Sequence, residues 1–248
     1  MPVAVVTGGS RGIGAATALL LARRGWDLCL GYRRDADAAK AVAHDCEAAG
    51  VRAVAVAGDV ASPDDVAALF AAADALGPVE ALVNNAGIVA PAARVDELTL
   101  TPERISRMLA VNVTGAFLCA GEAVRRMSTR HGGSGGSIVN VSSGAARLGS
   151  PGEYVDYAAS KAAVDTLTIG LAREVAAEGV RVNCVRPGLI DTDIHASGGR
   201  PDRVTQMQSS VPMQRGGTPG EVAAAIAWLC SDEASYTTAA IIDVTGGR

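Results

Sequence analysis

Aromatic residues are scarce in this chain, since Phe, Trp and Tyr make up only 3% of its 248 residues. Hydrophobic residues nevertheless account for 49% and charged residues for 19%, so a sizeable core can form and disorder is not expected. That core must be packed mainly by Ala, Val, Leu and Ile. The length suits one large α/β domain or two small ones.

Excess positive charge is also absent, because the formal net charge is −4. The arginine pairs 23–24, 33–34 and 125–126 are scattered, whereas nucleic-acid-binding proteins normally present a basic face. No apolar run approaches the ~18 to 20 residues that a bilayer-spanning helix needs. The first strand-like run begins at Val3, which leaves no room for a signal peptide. We therefore expect neither a nucleic-acid partner nor a membrane partner.

The five cysteines are odd in number, widely spaced and never arranged as C-x-x-C. They also lie near no paired histidines, so the sequence indicates neither a disulfide framework nor a zinc site. We expect free thiols in a reducing cytoplasm and no bound metal, with Cys29 and Cys184 buried in strands.

Short apolar runs alternate with longer helical patterns along most of the chain. Strands alternating with helices predict an α/β, single-domain doubly wound Rossmann fold over residues 1–248, with helices on both faces of a seven-stranded parallel sheet. The predicted strands are residues 3–7, 27–31, 51–58, 79–84, 137–141, 181–185 and 241–244. The predicted helices are residues 12–24, 36–49, one that follows Ser62-Pro63, 102–127, 154–178 and 220–230.

One segment, residues 191–218, interrupts this alternation. It is polar and rich in glycine, and loops of this length within compact domains are usually functional or mobile. We expect it to fold over the substrate.

A glycine-rich turn joins the first predicted strand to the first predicted helix. Residues 7–14 read TGGSRGIG, which gives a G-x-x-x-G-x-G spacing at Gly8, Gly12 and Gly14. A nucleotide pyrophosphate requires closely approaching backbone and the amide-rich N-terminus of a helix. A glycine-rich turn can also be a simple connection between a strand and a helix. Its position directly after the first strand favours dinucleotide binding.

The end of the second predicted strand bears on which dinucleotide binds. NAD sites usually place an acidic residue about 20 residues beyond the glycines, whereas this strand ends in Tyr32-Arg33-Arg34 with no acid before Asp35. Arg33, together with Arg11 in the turn, suits a ribose 2′-phosphate. The alternative is that both strand-end arginines are solvated charges at the start of a helix. The pattern favours NADP(H) over NAD(H).

Two tyrosines precede a lysine in the segment EYVDYAASK, residues 153–161. On a helix Tyr157 and Lys161 are i, i+4 neighbours, whereas Tyr154 lies roughly 10 Å from the lysine along the axis. A phenol with a pKa of about 10 is a poor base at neutral pH, and a nearby ammonium lowers that pKa. We expect Lys161 to lower the pKa of Tyr157, which then exchanges a proton with a carbonyl or alcohol oxygen.

Five motifs occur in one order along the chain: residues 7–14, Asn-Asn-Ala-Gly at 84–87, the serine pair 142–143, Tyr157-x-x-x-Lys161 and Pro187-Gly188. Together they resemble the short-chain dehydrogenase/reductase family over essentially the whole chain, in particular its 3-ketoacyl-carrier-protein reductase and glucose 1-dehydrogenase branches. The resemblance implies an NADP(H)-dependent oxidoreductase that transfers hydride between nicotinamide and a carbonyl or secondary alcohol. It also implies a homotetramer built through the two long helices. The alternative is a cofactor-binding regulator or structural subunit without turnover.

The resemblance also implies roles for the matched residues. Tyr157 is the acid/base, Lys161 also holds the nicotinamide ribose, and one of Ser142 or Ser143 orients the substrate carbonyl. We favour Ser143, because pleating sends successive strand side chains to opposite faces and the family's serine usually aligns with the second of such a pair. Asn112 matches an asparagine that holds a proton-relay water, or it is a helix residue bonded locally. The expected cofactor-binding residues are Gly8, Ser10, Arg11, Gly12, Ile13, Gly14, Arg33, Asp59, Val60, Asn85, Ala86, Gly87, Tyr157, Lys161, Pro187, Gly188, Ile190 and Thr192.

Substrate contacts are the least determined part of the sequence. We expect Arg147 and Tyr154 to face the mouth of the pocket, and His195 either to polarise a substrate oxygen or to be solvated. Thr238-Ala239 departs from the family pattern, in which a Thr-Gly is usual.

Overall fold

The computed structural model describes residues 1–248, and its seven strands form one parallel sheet. The strands follow the order β3-β2-β1-β4-β5-β6-β7, and every neighbouring pair is parallel. This confirms the predicted doubly wound Rossmann fold. The strands are β1 Val3–Thr7, β2 Asp27–Tyr32, β3 Ala53–Ala57, β4 Val79–Asn84, β5 Gly136–Val141, β6 Val180–Pro187 and β7 Ile241–Val244.

Helices cover both faces of the sheet, which buries the strands from two sides and explains their nearly continuous apolar sequences. The helices are α1 Gly12–Arg23, α2 Ala36–Ala48, α3 Pro63–Asp74, α4 Pro102–Leu109, α5 Gly115–Met127, α6 Ala145–Leu148, α7 Val155–Val175, α8 Ile194–Ser197, α9 Arg203–Met207 and α10 Pro219–Cys230. One core cluster lies between the sheet and α1, α2 and α10, and a second lies between the sheet and α3, α5 and α7.

Several elements differ from the sequence prediction. The predicted long helix over residues 102–127 is α4 and α5 joined by a π-helical turn, Ala110–Thr114, which contains Asn112. The segment 191–218 holds the short helices α8 and α9, and α6 follows β5. Helices of four or five residues are too short to show a 3.6-residue period, so no pattern in the sequence predicts them.

The segment Pro102–Met127 is also long and apolar enough to meet the length and composition of a membrane span. The expectation that no apolar run approaches this length was therefore wrong. Core helices of globular proteins have the same properties, and Cys119, Ala123 and Met127 on this segment are fully buried in the second core cluster.

All five cysteines are free, as the sequence predicts, and Cys29 and Cys184 are buried in strands as expected; the other three are buried as well. Burial raises the pKa of the Cys46 thiol to about 11 and that of the Cys29, Cys119, Cys184 and Cys230 thiols to about 12. These thiols are therefore protonated and weakly nucleophilic at neutral pH.

Candidate active site

The order of the strands along the sheet changes direction between β1 and β4. Strands β2 and β3 lie on one side of β1, and β4 to β7 lie on the other. Ligands of open α/β sheets bind outside the carboxyl ends of the strands at such a point. A cavity opens there, and it is lined by residues that follow β4, β5 and β6 and by the first turns of α1 and α7. Of the residues predicted from sequence, the cavity is lined by Ile13, Asn85, Gly87, Ser143, Tyr154, Tyr157, Lys161, Pro187, Gly188, Ile190, Thr192 and His195.

The glycine turn stands beside this cavity and requires glycine at defined positions. Gly8 has a φ of 65°, and a Cβ on Gly14 would lie 2.2 Å from the carbonyl oxygen of Gly8. Helix α1 has no side-chain cap and no acidic residue in its first turn. Its first amides are therefore free to bind an anionic ligand. A turn of this shape, with open amides at a helix N-terminus, fits the pyrophosphate of a dinucleotide.

Thr7 and Asn85 hold the turn against the loop that follows β4. Thr7 Oγ1 accepts hydrogen bonds from the backbone N–H groups of Asn85 and Ala86, each at 3.0 Å. The side-chain amide of Asn85 donates in return to the carbonyl oxygens of Thr7 and Gly8, each at 3.0 Å. Thr7 is part of the sequence motif, but its role as a double acceptor depends on residues 78 or 79 positions away.

The predicted adenine end of the site is built around Asp59, which follows β3. Arg33 Nε lies 3.1 Å and Arg107 Nη2 lies 2.6 Å from the same carboxylate oxygen, Oδ2. Burial alone would raise the pKa of Asp59, but the N–H of Ala61 and these two guanidinium groups hold it below its usual range. Arg107, on α4, is a residue that the sequence did not indicate.

The two serines that follow β5 have different surroundings. Ser142 is buried, and its hydroxyl donates to the carbonyl oxygen of Lys161 at 3.0 Å. Both serines line the cavity, but only the Ser143 hydroxyl interacts with Tyr157, whose pKa it lowers; it also accepts from the N–H of Ala145 at 3.1 Å. The Ser142 hydroxyl is thus used in a bond to α7, whereas the Ser143 hydroxyl lies beside Tyr157.

Tyr157 and Lys161 lie on the first turns of α7, one helical turn apart. Lys161 Nζ donates to the carbonyl oxygen of Val141 at 2.7 Å and lies 5.8 Å from the centre of the Tyr157 ring. Burial raises the pKa of Tyr157, and the Ser143 hydroxyl only partly opposes this. Burial also lowers the pKa of Lys161 to about 8.

The expected lowering of the Tyr157 pKa by Lys161 is therefore not found in the protein alone. Lys161 is buried and Tyr157 is partly buried. Removing the phenolate from water costs more free energy than the attraction of one ammonium at this distance returns. The structure instead favours a neutral phenol at neutral pH.

Asn112 lies in the π-helical turn and bonds to several groups at once. Its Oδ1 accepts from the N–H of Ile88 at 2.8 Å, and its Nδ2 donates to the carbonyl oxygen of Ile88 and to Ser160 Oγ, each at 3.0 Å. Asn112 also lines a small cavity shared with Lys161, which Val60 and Ala86 line as well. A Cβ on Gly87 would come within 3.3 Å of Lys161 Nζ and 3.4 Å of Asn112 Oδ1. Asn112 is thus bonded locally and also faces the lysine.

The three predicted substrate contacts lie in different places. Tyr154 is buried at the start of α7, lines the cavity and donates to the carbonyl oxygen of Gly198 at 3.4 Å. Arg147 does not line this cavity; its Nη2 donates to the carbonyl oxygen of Arg248 at 2.5 Å, and its Nε lies 3.8 Å from Asp243. The expectation that Arg147 faces the mouth of the pocket was wrong, because its side chain lies beside the Asp243 carboxylate of β7 instead.

His195 lines the cavity, but the N–H group of its ring already donates a hydrogen bond to the backbone. The Nε2 atom lies 2.8 Å from the carbonyl oxygen of Ile190, which can only accept, so this nitrogen carries the proton. Burial lowers the pKa of His195, the bond to Ile190 partly opposes this, and the nearby Arg203 lowers the pKa further. A neutral imidazole with its N–H engaged presents only an acceptor, so it does not donate to a substrate oxygen.

Comparison with known proteins agrees with this geometry. A family model described as enoyl-(acyl carrier protein) reductase matches residues 8–248. The chain is 57% identical over 249 residues to an oxidoreductase of Escherichia coli named "Uncharacterized oxidoreductase YgfF", with 100% of both chains covered. It is 44% identical to a cis-4-hydroxycyclohexanecarboxylate dehydrogenase of Sinomonas cyclohexanicum, covering 99% of this chain and 95% of that one.

A solved structure gives the same result. A short chain dehydrogenase from Burkholderia cenocepacia, in complex with NADP, superposes with a TM-score of 0.89 and 37% identity, covering 98% of this chain and 96% of that one. Fold, site and sequence thus define an oxidoreductase that acts on alcohol or carbonyl groups and binds a nicotinamide cofactor. The chain belongs to the short-chain dehydrogenase/reductase family.

Proposed function

We propose that the protein is an NADP(H)-dependent enzyme that interconverts a carbonyl compound and the corresponding secondary alcohol, with Tyr157 as the acid/base. The observation that carries this proposal is the convergence of Ser143, Tyr157 and Lys161 on one cavity beside the glycine turn. A protein that only binds the cofactor has no need of a hydroxyl, a phenol and an ammonium around the same space.

Each side chain has a distinct task in such a reaction. A bound nicotinamide supplies or accepts the hydride. The neutral phenol of Tyr157 donates a proton to the carbonyl oxygen, and the Ser143 hydroxyl bonds to the same oxygen as negative charge develops there. The ammonium of Lys161 favours the phenolate that remains. Asn112 borders a small cavity that reaches Lys161, which suits a water that restores the proton.

The cofactor preference is supported by Arg33 at the end of β2. Its side chain is half exposed and the strand end carries no acid that would bond to a ribose 2′-hydroxyl. Asp59, the nearest carboxylate, already binds two guanidinium groups. The remaining hydrogen-bond donors of Arg33 suit a 2′-phosphate.

The experiment that tests the proposal is a screen of aldehydes, ketones, sugars and acyl thioesters with NADPH and NADH. Oxidation of the cofactor is followed by absorbance. The variant Tyr157→Phe should lose nearly all turnover while NADPH still binds, and Tyr236→Phe, a tyrosine fully exposed on the surface, should match the wild type. Turnover that survives in Tyr157→Phe refutes the acid/base role. Cofactor binding with no turnover of any substrate supports a regulator instead.

We further propose that the protein is a homotetramer that uses the two long helical segments of the fold. Leu109 and Phe117, at the end of α4 and in α5, leave large apolar side chains exposed, 41% and 54% respectively. Light scattering coupled to gel filtration measures the mass, and Phe117→Lys should dissociate the assembly. A wild-type mass equal to one chain excludes the tetramer.

A further inference from the structure

One arginine of the segment 191–218 lies in the wall of the catalytic cavity. Arg203, the first residue of α9, lines the same space as Tyr157, and its side chain is only 12% exposed. Its guanidinium carbon lies 5.1 Å from the centre of the Tyr154 ring, and its Nη2 donates to Glu153 at 2.6 Å. Stacking and ion pairing together fix the plane of the guanidinium group against the cavity.

The charges around Arg203 do not balance. Glu153 is shared, because it forms an ion pair with Arg200 as well as with Arg203. One carboxylate therefore faces two guanidinium groups, which leaves a positive charge without a counterion. No Asp or Glu side chain lines the cavity, whereas Lys161 and Arg203 do. The cavity wall is thus electropositive.

Arg203 also carries a buried donor with no acceptor. Its Nη1 atom is one of only two buried side-chain polar atoms in the protein that lack a hydrogen-bond partner. The other is Nη2 of Arg104, which does not line the cavity. Buried donors are almost always satisfied, and an unsatisfied one in a native protein is best explained by a missing acceptor. An oxygen of a molecule bound in the cavity would satisfy this donor.

We propose that Arg203 binds a carboxylate of the substrate, so that the preferred substrates are oxo acids and the corresponding hydroxy acids. Their reacting carbon meets Tyr157 and Ser143, while the carboxylate meets the guanidinium group. A guanidinium is planar and presents parallel N–H donors that match a carboxylate. This inference rests on the proposed carbonyl–alcohol function. It adds a group that binds the substrate and introduces no new chemical step.

The first test compares oxo acids with their methyl esters at low salt. The series runs from oxobutanoates to oxooctanoates, and kcat/KM is measured with NADPH. A desolvated, charge-assisted bond gives a preference of about 10- to 100-fold for the acid. Arg203→Gln should remove that preference by lowering kcat/KM for the acids far more than for the esters, and Arg203→Lys should keep part of it. Arg200→Gln, which removes a charge from the same ion-pair cluster but does not line the cavity, should retain it.

The second test measures binding without turnover. Alkanoates from butanoate to octanoate, and the matching amides, are titrated calorimetrically into the protein with NADP⁺. The carboxylates should bind at least about 10-fold more tightly than the amides to the wild type, and equally weakly to Arg203→Gln. Equal binding of the two series to the wild type, or a preference that survives in Arg203→Gln, overturns the proposal.

The two tests separate this inference from the proposed function. Arg203-dependent binding of carboxylates with no reduction of any carbonyl compound refutes the function and leaves the binding site standing. Reduction of ketones and esters without preference for acids refutes the site and leaves the function standing.

Discussion

Lys161 and Val141 join the catalytic helix to the central sheet: the Nζ atom of Lys161 donates to the carbonyl oxygen of Val141 at 2.7 Å. Val141 is the last residue of β5 and the serine pair follows it directly, so this bond fixes α7 against the strand end that carries Ser143. The lysine is almost fully enclosed, with only 4% of its surface exposed. Lys161 therefore positions Tyr157. Its burial makes the charged form of the lysine less stable than it is in water.

The first prediction concerns stability and pH. Burial lowers the pKa of Lys161 to about 8, while an unfolded lysine titrates near 10.4. Between these values the unfolded chain holds a proton that the folded chain has lost, so this group makes the folded state more stable as pH rises. Relative to Lys161→Met, the wild type should gain about 1 kcal/mol of unfolding free energy from pH 7 to pH 9.

Urea denaturation of the wild type and of Lys161→Met at pH 7 and pH 9 measures this gain in unfolding free energy. The raised pKa values of the five buried thiols destabilise the fold above about pH 9, but they are common to both proteins and cancel in the difference. An equal difference at both pH values contradicts the assignment.

The second prediction concerns the direction of the reaction. Burial raises the pKa of Tyr157, so the phenol is neutral at pH 7 and ready to donate. The kcat/KM for reduction should be nearly constant from pH 6 to 8, and that for oxidation should rise roughly tenfold per pH unit, because oxidation needs the phenolate. Initial rates in both directions across this range test it. Oxidation that is constant while reduction falls with pH would mean that Tyr157 is already ionised.

The third prediction distinguishes the two serines. Ser143→Ala should lower kcat by about 10²- to 10³-fold, because it removes a donor to the developing oxyanion. Ser142→Ala should leave kcat within a few-fold and lower the unfolding free energy by about 1 kcal/mol, since it removes a buried hydrogen bond to α7. Steady-state kinetics and thermal unfolding of both variants provide the comparison. The reverse pattern would make Ser142 the catalytic residue.

The catalytic pair and the glycine turn are predictable from sequence because each is local. Tyr157 and Lys161 are one turn apart on one helix, and Gly8 to Gly14 form one turn, so spacing alone is enough to bring them together. The same holds for α3, whose start at Pro63 is marked by Ser62 as its N-cap.

The remaining parts of the site depend on contacts between distant residues. Thr7 acquires its role from the loop after β4, Arg107 from Asp59, and Arg203 from Glu153, which is 50 residues earlier in the chain. A distant contact also explains the wrong prediction for Arg147. Its side chain lies beside Asp243 of β7, a neighbour that no local sequence pattern indicates. The pKa of Tyr157 likewise depends on enclosure by the whole fold, whereas the sequence shows only its neighbour, Lys161.

The fourth prediction concerns the cofactor. Arg33→Asp should raise the Kd for NADPH by at least about 10-fold and change that for NADH by much less, because it replaces the expected partner of the 2′-phosphate with a like charge. Arg34→Asp makes the same change of charge at an exposed neighbour that forms no ion pair, and should have a small, salt-sensitive effect on both. Fluorescence titration gives both constants. Equal losses for NADPH and NADH in Arg33→Asp would contradict a selective contact.

The last prediction concerns Ala239, which stands where the family usually has glycine. Its φ is 59°, in the left-handed region where a Cβ is strained, yet the chain must turn there so that its N–H can donate to Val182 at 2.8 Å. Ala239→Gly removes the steric strain, which outweighs the extra entropy of an unfolded glycine, and should raise the unfolding free energy by about 0.5 to 1 kcal/mol. Ala240→Gly, at the next residue, has no such strain to relieve and should lower it by a similar amount. Thermal unfolding of the three proteins decides between these outcomes: a lower Tm for Ala239→Gly would show that its methyl group contributes more through packing on the core than the backbone loses through strain.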